Sequence, residues 1–304
     1  MERFESEYLI IGSGIAGLNL ALQMAESGKV NVISKTNLDE TNTNYAQGGI
    51  ATVTTESDSF ESHINDTLTA GAGLCHMDAV EVMVSEGPGR INDLIDWGVN
   101  FSRSKESSDY ELAREGGHSV SRIFHVKDFT GAEIQRVLLE RAKEHPNIQL
   151  FEDYYAIDLI TDHHVLGNLQ AAFNICFGAY VFSKNDRKVH VFRSGYTIIA
   201  TGGGSRVYQY STNPETSTGD GVAMAYRAGV RIANMEFIQF HPTALYEPGH
   251  RLFLISEALR GYGGIIKNLE GEAFVKKYDN RGELAPRDIV SRAIDSEMKK
   301  RRED

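Results

Sequence analysis

The sequence predicts an α/β fold, in which a Rossmann-like domain carries an antiparallel β-meander and a smaller, partial domain follows it. The first observation is a βαβ pattern at residues 8–34, where an apolar run, a glycine turn, an amphipathic helix and a second apolar run follow one another. The second is the alternating pattern of residues 148–192, which is typical of antiparallel strands. The third is an apolar run at 196–199 that leads into the glycine-rich segment 200–205.

The individual elements follow from the same patterns. In the first half, apolar runs and helical spacing predict a strand at 8–11, a helix at 18–27 that Gly28 ends, a strand at 30–34, and helices at 59–70, 78–97 and 130–145. Polar and glycine-containing stretches predict loops at 41–55 and 100–122. In the second half, the patterns predict strands at 148–161, 171–182, 188–192 and 196–199, and helices at 217–229, within 253–264 and at 285–304.

The composition disfavours several function classes. Lys and Arg total 31 against 42 Asp and Glu, and the net charge of −11 disfavours binding to nucleic acid or to an anionic membrane. Cys75 and Cys176 lie far apart without a CxxC pair, so we expect two buried small side chains in a reducing compartment, and neither a disulfide framework nor a metal site. The N-terminal segment lacks the features of a signal peptide, and the longest mostly apolar stretch, 171–182, is too short to span a bilayer. The sequence therefore predicts a cytoplasmic protein.

A GxGxxG pattern follows the first predicted strand and opens the first helix. In this context Gly12 suits a tight turn, Gly14 lets the backbone approach a pyrophosphate, and Gly17 lets the helix pack on the strand. The pyrophosphate would lie at the helix N-terminus. A purely structural turn is the alternative. The pattern predicts a dinucleotide site that also includes Ser13, Ile15 and Ala16.

The end of the second predicted strand departs from the usual dinucleotide pattern, which places an acidic residue there to hold the ribose. Ser34 and Lys35 occupy this position. We expect Ser34 to bond a ribose hydroxyl and Lys35 to place positive charge near the phosphates or the adenosine. The alternative for Lys35 is a solvated surface lysine.

Two further segments indicate a flavin dinucleotide. Segment 200–205 is a second glycine element, with Thr201 and Gly202 near its start, and such an element after a late strand is typical of large flavoproteins. The loop at 42–51 is rich in amides and glycines and offers neutral donors to a flavin ring and its ribityl chain. Its predicted contact residues are Asn42, Thr43, Asn44, Tyr45, Ala46, Gln47, Gly48 and Gly49.

Nine segments together resemble the succinate dehydrogenase/fumarate reductase flavoprotein family. They are GSGIAG (12–17), NTNYAQGGIATV (42–53), HINDTLTAGAGLC (63–75), REGGHSVSRIFH (114–125), ATGG (200–203), TGDG (218–221), EFIQFHPTAL (236–245), SEALRGYGG (256–264) and ELAPRDIVSRAI (283–294). Within that family the chain is most similar to the L-aspartate oxidase branch. The resemblance implies FAD as the cofactor, with Asp220 of the TGDG segment at its site.

Two positions separate the branches of the family. Membrane-bound relatives attach FAD covalently to a histidine where this sequence has Asn42, so the resemblance implies noncovalent FAD. Those relatives also have an apolar residue where this sequence has Glu115. An acidic side chain there suits a substrate ammonium, which succinate lacks. The alternative is a solvated glutamate in a charged loop.

The resemblance also assigns catalytic roles. His241 and Ser256 would bind a substrate carboxylate, and Arg287 would donate or accept a proton beside the flavin. The alternative for His241 is a packed or surface histidine. Glu257 and Arg260 are spaced to share a helix face, and they match a proton relay that ends on Arg287. A structural ion pair is the alternative for these two residues.

The implied reaction is the FAD-dependent oxidation of L-aspartate to iminoaspartate in NAD biosynthesis. Hydride from C2 would pass to flavin N5, and oxygen or fumarate would then reoxidise the flavin. A functional link to quinolinate synthase would follow from this reaction. The alternatives are a soluble fumarate reductase-like dicarboxylate oxidoreductase and a non-catalytic flavin-binding fragment.

The resemblance sets the expected domains. An FAD-binding domain is predicted over 1–236 and a capping or substrate domain over 237–304. Members of the family continue well beyond the position of residue 304 and supply further groups to the flavin and the substrate there. We therefore expect both domains to be partial, and little oxidase activity from these 304 residues alone.

Overall fold

The computed structural model describes residues 1–166, 174–249 and 252–302. Residue contacts divide the chain into two compact units, and each unit is made of two separate stretches. The first unit comprises Met1–Ala46 and Gly131–Phe237, and the second comprises Gln47–Thr130 and Ile238–Asp304. The predicted division into domains 1–236 and 237–304 stays a prediction.

The described residues form both β-strands and α-helices of short to medium length. The strands are β1 (Arg3–Ile11), β2 (Val30–Ile33), β3 (Ile50–Ala51), β4 (Leu112–Ala113), β5 (Ile123–Phe124), β6 (Ile148–Phe151), β7 (Tyr154–Thr161), β8 (Cys176–Ser183), β9 (Lys188–Ile199), β10 (Ala244–Leu245) and β11 (Phe253–Leu254). The α-helices are α1 (Ile15–Met24), α2 (Asn42–Tyr45), α3 (Phe60–Ala70), α4 (Met77–Trp97), α5 (Thr130–Glu144), α6 (Asp162–Leu166), α7 (Asp220–Arg227), α8 (Ala258–Gly261) and α9 (Arg287–Arg301).

A mixed sheet with the order β6-β2-β1-β9-β8-β7 forms the centre of the first unit within the described residues. β6, β2, β1 and the later part of β9 run parallel, and β7, β8 and the earlier part of β9 form an antiparallel meander. Because parallel strands end at the same edge of a sheet, the loops that follow β1, β2 and β9 lie together. The predicted α/β fold with an attached meander is confirmed.

Strand β9 belongs to both halves of this sheet. Its residues Lys188 to Arg193 pair with β8 in antiparallel register, and Val191 to Ile199 pair with β1 in parallel register. The sequence predicted two separate strands here, 188–192 and 196–199, and this separation is wrong. The intervening segment stays extended because Ser194 pairs with Ser6 across the sheet.

The core of the first unit packs apolar side chains against this sheet. Leu9, Ile10 and Phe192 are fully buried, and the Phe4 ring stacks on Phe192 with a centroid distance of 4.6 Å. Phe151 meets Phe192 edge-to-face at 4.9 Å. Such edge-to-face and stacked pairs add to the burial of apolar area, so this aromatic cluster anchors the meander to the parallel strands.

Several predicted elements need correction. Helix α1 ends at Met24, and Gly28 lies beyond it where an added Cβ would come within 2.9 Å of the Glu7 side chain. The predicted loop 41–55 contains α2 and β3, because Thr41 caps α2 by accepting the Asn44 N–H. The predicted strand 148–161 is two strands, since the chain turns at Asp153, whose φ is +60°. Residues 171–173 of the predicted strand 171–182, and residues 303–304 of the predicted helix 285–304, lie outside the described residues.

The second unit combines helices with small sheets. β3, β5 and β4 form an antiparallel sheet, β10 pairs with β11, and helices α3, α4, α8 and α9 belong to the same unit. Phe274, Val275, Ala285, Val290 and Ala293 form a buried apolar cluster beneath α9. Helices α3, α4 and α9 match the predictions for 59–70, 78–97 and 285–304 within the described residues.

Two further observations concern the whole chain. Cys75 and Cys176 are free and half-buried, so the prediction of two fully buried side chains is wrong; Cys75 points its thiol to the carbonyl of Thr67 at 3.8 Å. In the part of the chain that the structure describes, no helix combines the length and the apolar character needed to cross a membrane.

Candidate cofactor and substrate sites

The glycine turn after β1 is packed so closely that larger residues would collide with backbone. Gly12 has φ +118°, and a Cβ on it would lie 2.2 Å from the carbonyl oxygen of Ala200. A Cβ on Gly17 would lie 2.0 Å from the carbonyl oxygen of Gly12. This geometry fits the roles predicted for the two glycines, a tight turn and close packing of the helix on the strand.

A second segment lies beside the N-terminus of α1. The Ile15 N–H donates to Thr43 Oγ1 at 2.9 Å, and a Cβ on Gly14 would lie 3.3 Å from the same oxygen. Helix α2 therefore borders the place where the fingerprint predicts a pyrophosphate. Asn42, at its start, donates to Ser217 Oγ at 2.7 Å and is held there.

A cavity of about 490 Å³ opens at this edge of the sheet in the first unit, and its volume is within the usual range for ligand pockets, roughly 300–1,000 Å³. The side chain of Ser13 leaves its hydroxyl buried without a hydrogen-bond partner among the described residues. The orphaned hydroxyl and the bare glycine backbone together fit a dinucleotide ligand. The predicted site residues that line the cavity are Gly12, Ser13, Gly14, Ile15, Ala16, Ser34, Lys35, Asn42, Thr43, Thr201, Gly202 and Asp220.

The dinucleotide pattern would place an acidic residue at the end of β2. An acidic residue of this cavity, Asp220, lies instead at the start of α7. Lys35 forms an ion pair with Asp220 at the start of α7, and it donates to Thr218 Oγ1 at 2.7 Å. Although burial raises the pKa of the Asp220 carboxyl, the hydrogen bonds from Lys35 and Thr218 outweigh it and hold this pKa below its usual value. Burial and the Asp220 charge raise the pKa of Tyr155, which lines the same cavity. Lys35 is thus paired, and it is not a solvated surface lysine.

Sequence reasoning missed the residue that ties the cavity loops together. Gln135 on α5 is almost fully buried, and its Nε2 donates to the carbonyls of Ser13 at 2.9 Å and Leu38 at 3.0 Å. Its Oε1 accepts the Thr41 hydroxyl at 3.1 Å. An amide on an amphipathic helix carries no local signal of this role. Other lining residues that the sequence did not single out are Glu40, Thr41, Tyr154, Tyr155, Ala156 and Ser217.

Not every predicted cofactor residue lines this cavity. Among the described residues, Gly17, Asn44, Tyr45 and Ala46 belong to the first unit but lie outside the cavity lining. The remaining three predicted residues, Gln47, Gly48 and Gly49, belong to the second unit. Ser34 lines the cavity, and its hydroxyl donates to the carbonyl of Asn37 at 3.3 Å.

The second unit contains a cluster of four charged side chains that the sequence singled out. Arg287 Nε donates to Glu257 Oε2 at 2.6 Å, and Arg287 Nη2 lies 3.7 Å from Glu115 Oε2. Arg260 Nη2 lies 3.5 Å from the same oxygen of Glu257. Glu257 and Arg260 are buried, and Arg287 is half-buried. The predicted pairing of Glu257, Arg260 and Arg287 is therefore present in the structure.

Burial shifts the pKa values of two side chains in this cluster, Glu115 and Arg260, toward their neutral forms. Burial and the nearby Glu257 raise the pKa of Glu115, against the opposing effect of Arg287 and Arg260. Burial lowers the pKa of Arg260, although Glu257 opposes this effect. The Nε and Nη2 atoms of Arg260 are buried without a hydrogen bond among the described residues. The pKa shifts of Glu115 and Arg260 make each side chain lose its charge more readily than an exposed glutamate or arginine would.

His241 and Ser256 are in the same unit. His241 Nδ1 lies 2.7 Å from the carbonyl oxygen of Thr243, and its Nε2 is buried without a hydrogen-bond partner among the described residues. Burial lowers the pKa of His241, and the charges of Arg287 and Arg260 lower it further. Ser256 Oγ accepts the Ala258 N–H at 3.3 Å at the start of α8.

One further residue joins the charged cluster. Gln239 Oε1 accepts Arg287 Nη1 at 3.2 Å. The sequence signal that could have found it is its place two residues before His241 in the same segment. In the described part of the chain, no group of three His, Cys, Asp or Glu side chains is placed to hold a metal ion.

A comparison with protein families agrees with this geometry. Residues 7–304 match the family model described as FAD binding domain. The chain belongs to this family of FAD binding domains. FAD is the cofactor that the family and its flavoprotein relatives indicate, as the sequence predicted.

Curated relatives and solved structures extend the comparison. The chain is similar to the L-aspartate oxidase of Vibrio cholerae, with 50% identity over 300 residues that cover 97% of this chain and 55% of the relative. It is also similar to a chloroplastic L-aspartate oxidase of Nicotiana tabacum, with 48% identity over 98% of this chain and 46% of the relative. Its structure is similar to the quinol fumarate reductase of E. coli, with a TM-score of 0.90, 32% identity, and coverage of 99% of this chain and 52% of that chain. The chain therefore spans about half the length of the curated relatives it matches.

Proposed function

We propose that this chain takes part in the FAD-dependent oxidation of L-aspartate to iminoaspartate, with oxygen or fumarate as the final electron acceptor. The observation that carries the proposal is the cluster of Glu115, Glu257, Arg260 and Arg287 in the second unit. This cluster combines two carboxylates and two guanidinium groups in a partly buried region. A dicarboxylate with one amine is the substrate that such a pair of charges suits.

The substrate carboxylates would bind to cationic and neutral donors. Arg287 keeps about a third of its side chain exposed, although it donates to Glu257 and Gln239. A guanidinium has five N–H donors in a planar fork, so it has capacity left for a carboxylate. His241 Nε2 and Ser256 Oγ would add a second and a third contact. The substrate would then be held by several hydrogen bonds that fix its orientation.

The substrate ammonium would bind to Glu115. This carboxylate is mostly buried, and an added Cβ on Gly48 would lie 3.2 Å from its Oε1, so backbone packs directly against it. An ammonium bound there would form a charge-assisted hydrogen bond, which is roughly twice as strong as a neutral one. Succinate and fumarate have no group to use this contact. Glu115 would therefore select the amino acid over the unsubstituted dicarboxylates.

The proton would leave through Glu257 and the two arginines. Arg287 Nε donates to Glu257 Oε2 at 2.6 Å, and Arg260 Nη2 lies 3.5 Å from the same oxygen as an ion pair, so Glu257 lies between the two guanidinium groups. An arginine normally stays protonated, but burial already lowers the pKa of Arg260. The path would hold a proton on Arg287 or take one from it. Bound FAD would supply the two-electron redox chemistry.

The FAD would be held without a covalent bond by the predicted residues of the cavity and its neighbouring loops. Asn42 occupies the position of the attachment histidine and has no nucleophilic side chain, and it already donates to Ser217. The glycine turn at 12–17 would hold the pyrophosphate, Ser34 would bond a ribose hydroxyl, and Asp220 would belong to the same site. A cytoplasmic location, a place in NAD biosynthesis and a functional link to quinolinate synthase belong to this proposal.

A second candidate function is the reduction of fumarate. The observation that favours it is the similarity to a quinol fumarate reductase, with a TM-score of 0.90 and 32% identity over 99% of this chain. The two candidates differ in the importance of Glu115. Aspartate needs a partner for its amine, whereas fumarate needs only the carboxylate and proton-donor groups.

The experiment that tests the proposal is an anaerobic reduction of FAD-loaded protein in which this chain is extended by the C-terminal region of the Vibrio cholerae L-aspartate oxidase. L-aspartate should bleach the flavin absorbance, and Glu115→Gln should slow this bleaching by roughly ten- to a hundredfold, the effect of about 1.5–3 kcal/mol for a lost charged hydrogen bond. Fumarate-driven reoxidation of the chemically reduced protein should change little in the same variant. The matched control is Glu111→Gln, an exposed carboxylate that lies just before β4.

Three other outcomes would contradict the proposal. Equal losses for both substrates in Glu115→Gln would make Glu115 a structural residue. Bleaching by succinate and none by aspartate would favour the second candidate. Tight flavin binding without bleaching by either compound would make the chain a flavin-binding protein without this chemistry.

A further inference from the structure

The loop that carries Glu115 turns sharply just after it. The carbonyl oxygen of Glu115 accepts the His118 N–H at 3.3 Å, and Gly117 in the turn has φ +87°, a backbone conformation that suits glycine. Arg114 Nε donates to the carbonyl of His118 at 2.8 Å and closes the same turn. The position of Glu115 therefore depends on what holds residues 118 and 119.

Asp66 on helix α3 holds the far end of this turn. Its Oδ2 accepts both the Ser119 N–H and the Ser119 hydroxyl, each at 2.8 Å. The same oxygen accepts Arg122 Nη1 at 2.6 Å. One carboxylate oxygen on a helix thus fixes the backbone of the loop and is itself held by a guanidinium.

Arg122 is held in turn by other residues of the second unit. Its side chain is 1% exposed, and its Nε and Nη2 atoms donate to the two carboxylate oxygens of Asp58 at 2.8 and 2.7 Å. Nη2 also donates to Ser62 Oγ at 2.9 Å. Bidentate pairing of this kind fixes a guanidinium in one orientation. Arg122 is therefore a rigid support for Asp66.

The near end of the turn is fixed independently. The Gly116 N–H donates to Glu257 Oε1 at 3.2 Å, and a Cβ on Gly116 would lie 2.8 Å from that oxygen. The loop is thus held at Gly116 by Glu257 and at Ser119 by Asp66. The far end also has contacts between Ser62 Oγ and Ser119 Oγ at 3.0 Å and between His118 Nδ1 and Arg122 Nη1 at 3.4 Å. Without Asp66 the Ser119 N–H would lose its acceptor, and the turn that carries Glu115 would be held less firmly.

We propose that Asp66 is a positioning residue that acts through Ser119 to fix the Glu115 carboxylate, and that it thereby sets the preference for an aminated over an unsubstituted dicarboxylate. This inference rests on the proposed function, because it takes Glu115 as the partner of the substrate amine. It differs from a general stabilising role in one respect. Asp58 and Asp66 both pair with Arg122, but of these two carboxylates only Asp66 also bonds Ser119 in the described residues.

The first test needs no substrate. Amide hydrogen exchange of the FAD-loaded chain should show faster exchange at residues 115–119 in Asp66→Ala than in wild type, by about tenfold or more, because the Ser119 N–H loses its acceptor. Asp93→Ala is the control, since it removes a carboxylate from another arginine of the second unit, Arg90 on α4. It should leave the exchange of this loop within about twofold of wild type.

The second test measures selectivity. Dissociation constants for L-aspartate and succinate are measured by titration calorimetry on anaerobic protein with chemically reduced FAD, which cannot oxidise aspartate, and the ratio of the two constants is compared among variants. Asp66→Ala should reduce the preference for aspartate by about tenfold with little change for succinate, as expected when one charged contact is weakened. Ser119→Ala removes the hydroxyl contacts with Asp66 and Ser62 but keeps the bond from the Ser119 N–H to Asp66. It should produce a smaller change of the same sign, and it leaves the Arg122 ion pairs intact.

The outcomes separate the inference from the proposed function. If Glu115→Gln abolishes the preference and both Asp66→Ala and Ser119→Ala keep it, the positioning role is wrong and the proposed function stands. If Glu115→Gln leaves the preference unchanged, the proposed function fails, and the exchange data alone decide whether Asp66 fixes the loop. If Asp66→Ala does not fold, Ser119→Ala carries both tests. Unchanged loop exchange and unchanged selectivity in Ser119→Ala would then overturn the inference.

Discussion

Replacement of Arg122 by methionine should destabilise the second unit strongly. Arg122 is fully buried, and its removal leaves Asp58, 1% exposed, and Asp66, 17% exposed, without their guanidinium. Removal of one partner from a buried ion pair costs about 3–5 kcal/mol, because an uncompensated charge remains in a poorly solvated place. Asp66 keeps its bonds from Ser119 and some solvent contact, so most of the loss should come from Asp58.

The chain offers a matched control on its surface. Arg136 on α5 also pairs with two carboxylates, Glu133 at 2.9 Å and Glu140 at 2.7 Å, but its side chain is 51% exposed. Exposed pairs are worth about 0–1 kcal/mol each, so Arg136→Met should cost no more than about 1–2 kcal/mol. The measurement is urea unfolding of wild type and both variants, followed by circular dichroism. Equal losses in the two variants would refute the argument that burial decides the cost.

The loss of stability in Arg122→Met should also depend on pH. The hydrogen bond from Arg122 lowers the pKa of Asp58 in the wild type, and the bonds from Ser119 and Arg122 lower that of Asp66 against the effect of burial. A carboxyl with a lowered folded pKa stabilises the fold above its unfolded pKa, near 3.9, and this contribution is lost as the pH falls through the folded value. The difference in the free energy of unfolding between wild type and variant should therefore be largest at neutral pH and decrease below about pH 4.

Three further predictions concern the ligands. Gly12→Ala should abolish FAD retention or folding, because its Cβ would lie 2.2 Å from the Ala200 carbonyl at a φ of +118°, and bound flavin absorbance after gel filtration checks this. Acid precipitation of the loaded chain should release all of the flavin, and flavin that stays in the pellet would contradict noncovalent binding at Asn42. Because burial and Glu257 raise the pKa of Glu115, its negative charge is lost at a higher pH than for an exposed glutamate. Aspartate affinity should therefore weaken on acidification before succinate affinity does, and parallel pH profiles for the two ligands would refute this.

Local sequence patterns were sufficient to predict the first three elements of the fold. The GxGxxG pattern and the two apolar runs define β1, α1 and β2 within about thirty consecutive residues, and each pattern depends only on near neighbours. The end of the helix was misplaced, because Gly28 adopts no left-handed conformation and packs against Glu7 instead. Element boundaries depend on such packing, which no local pattern records.

The hydrogen-bond partners of the cofactor-site residues could not be predicted from the sequence. Lys35 was expected near phosphates or adenosine, and its partners Thr218 and Asp220 lie 183 and 185 positions away. Gln135 reaches Ser13 across 122 positions. Such contacts depend on the sheet order and on the faces that the helices bury. The family resemblance named the members of the charged cluster, but the distances within it come only from the folded chain.

The parallel pairing of β1 with β9 has a consequence for the synthesis of the chain. Arg3 pairs with Val191 and Ile11 pairs with Ile199, so β1 finds this neighbour only after almost two hundred more residues have been synthesised. At translation rates of about 5–20 residues per second, β1 waits roughly 10–40 s with one edge unpaired. An unpaired strand edge is a template for association with other chains. The alternating charged residues Arg3, Glu5 and Glu7 on this strand would oppose such association during that interval.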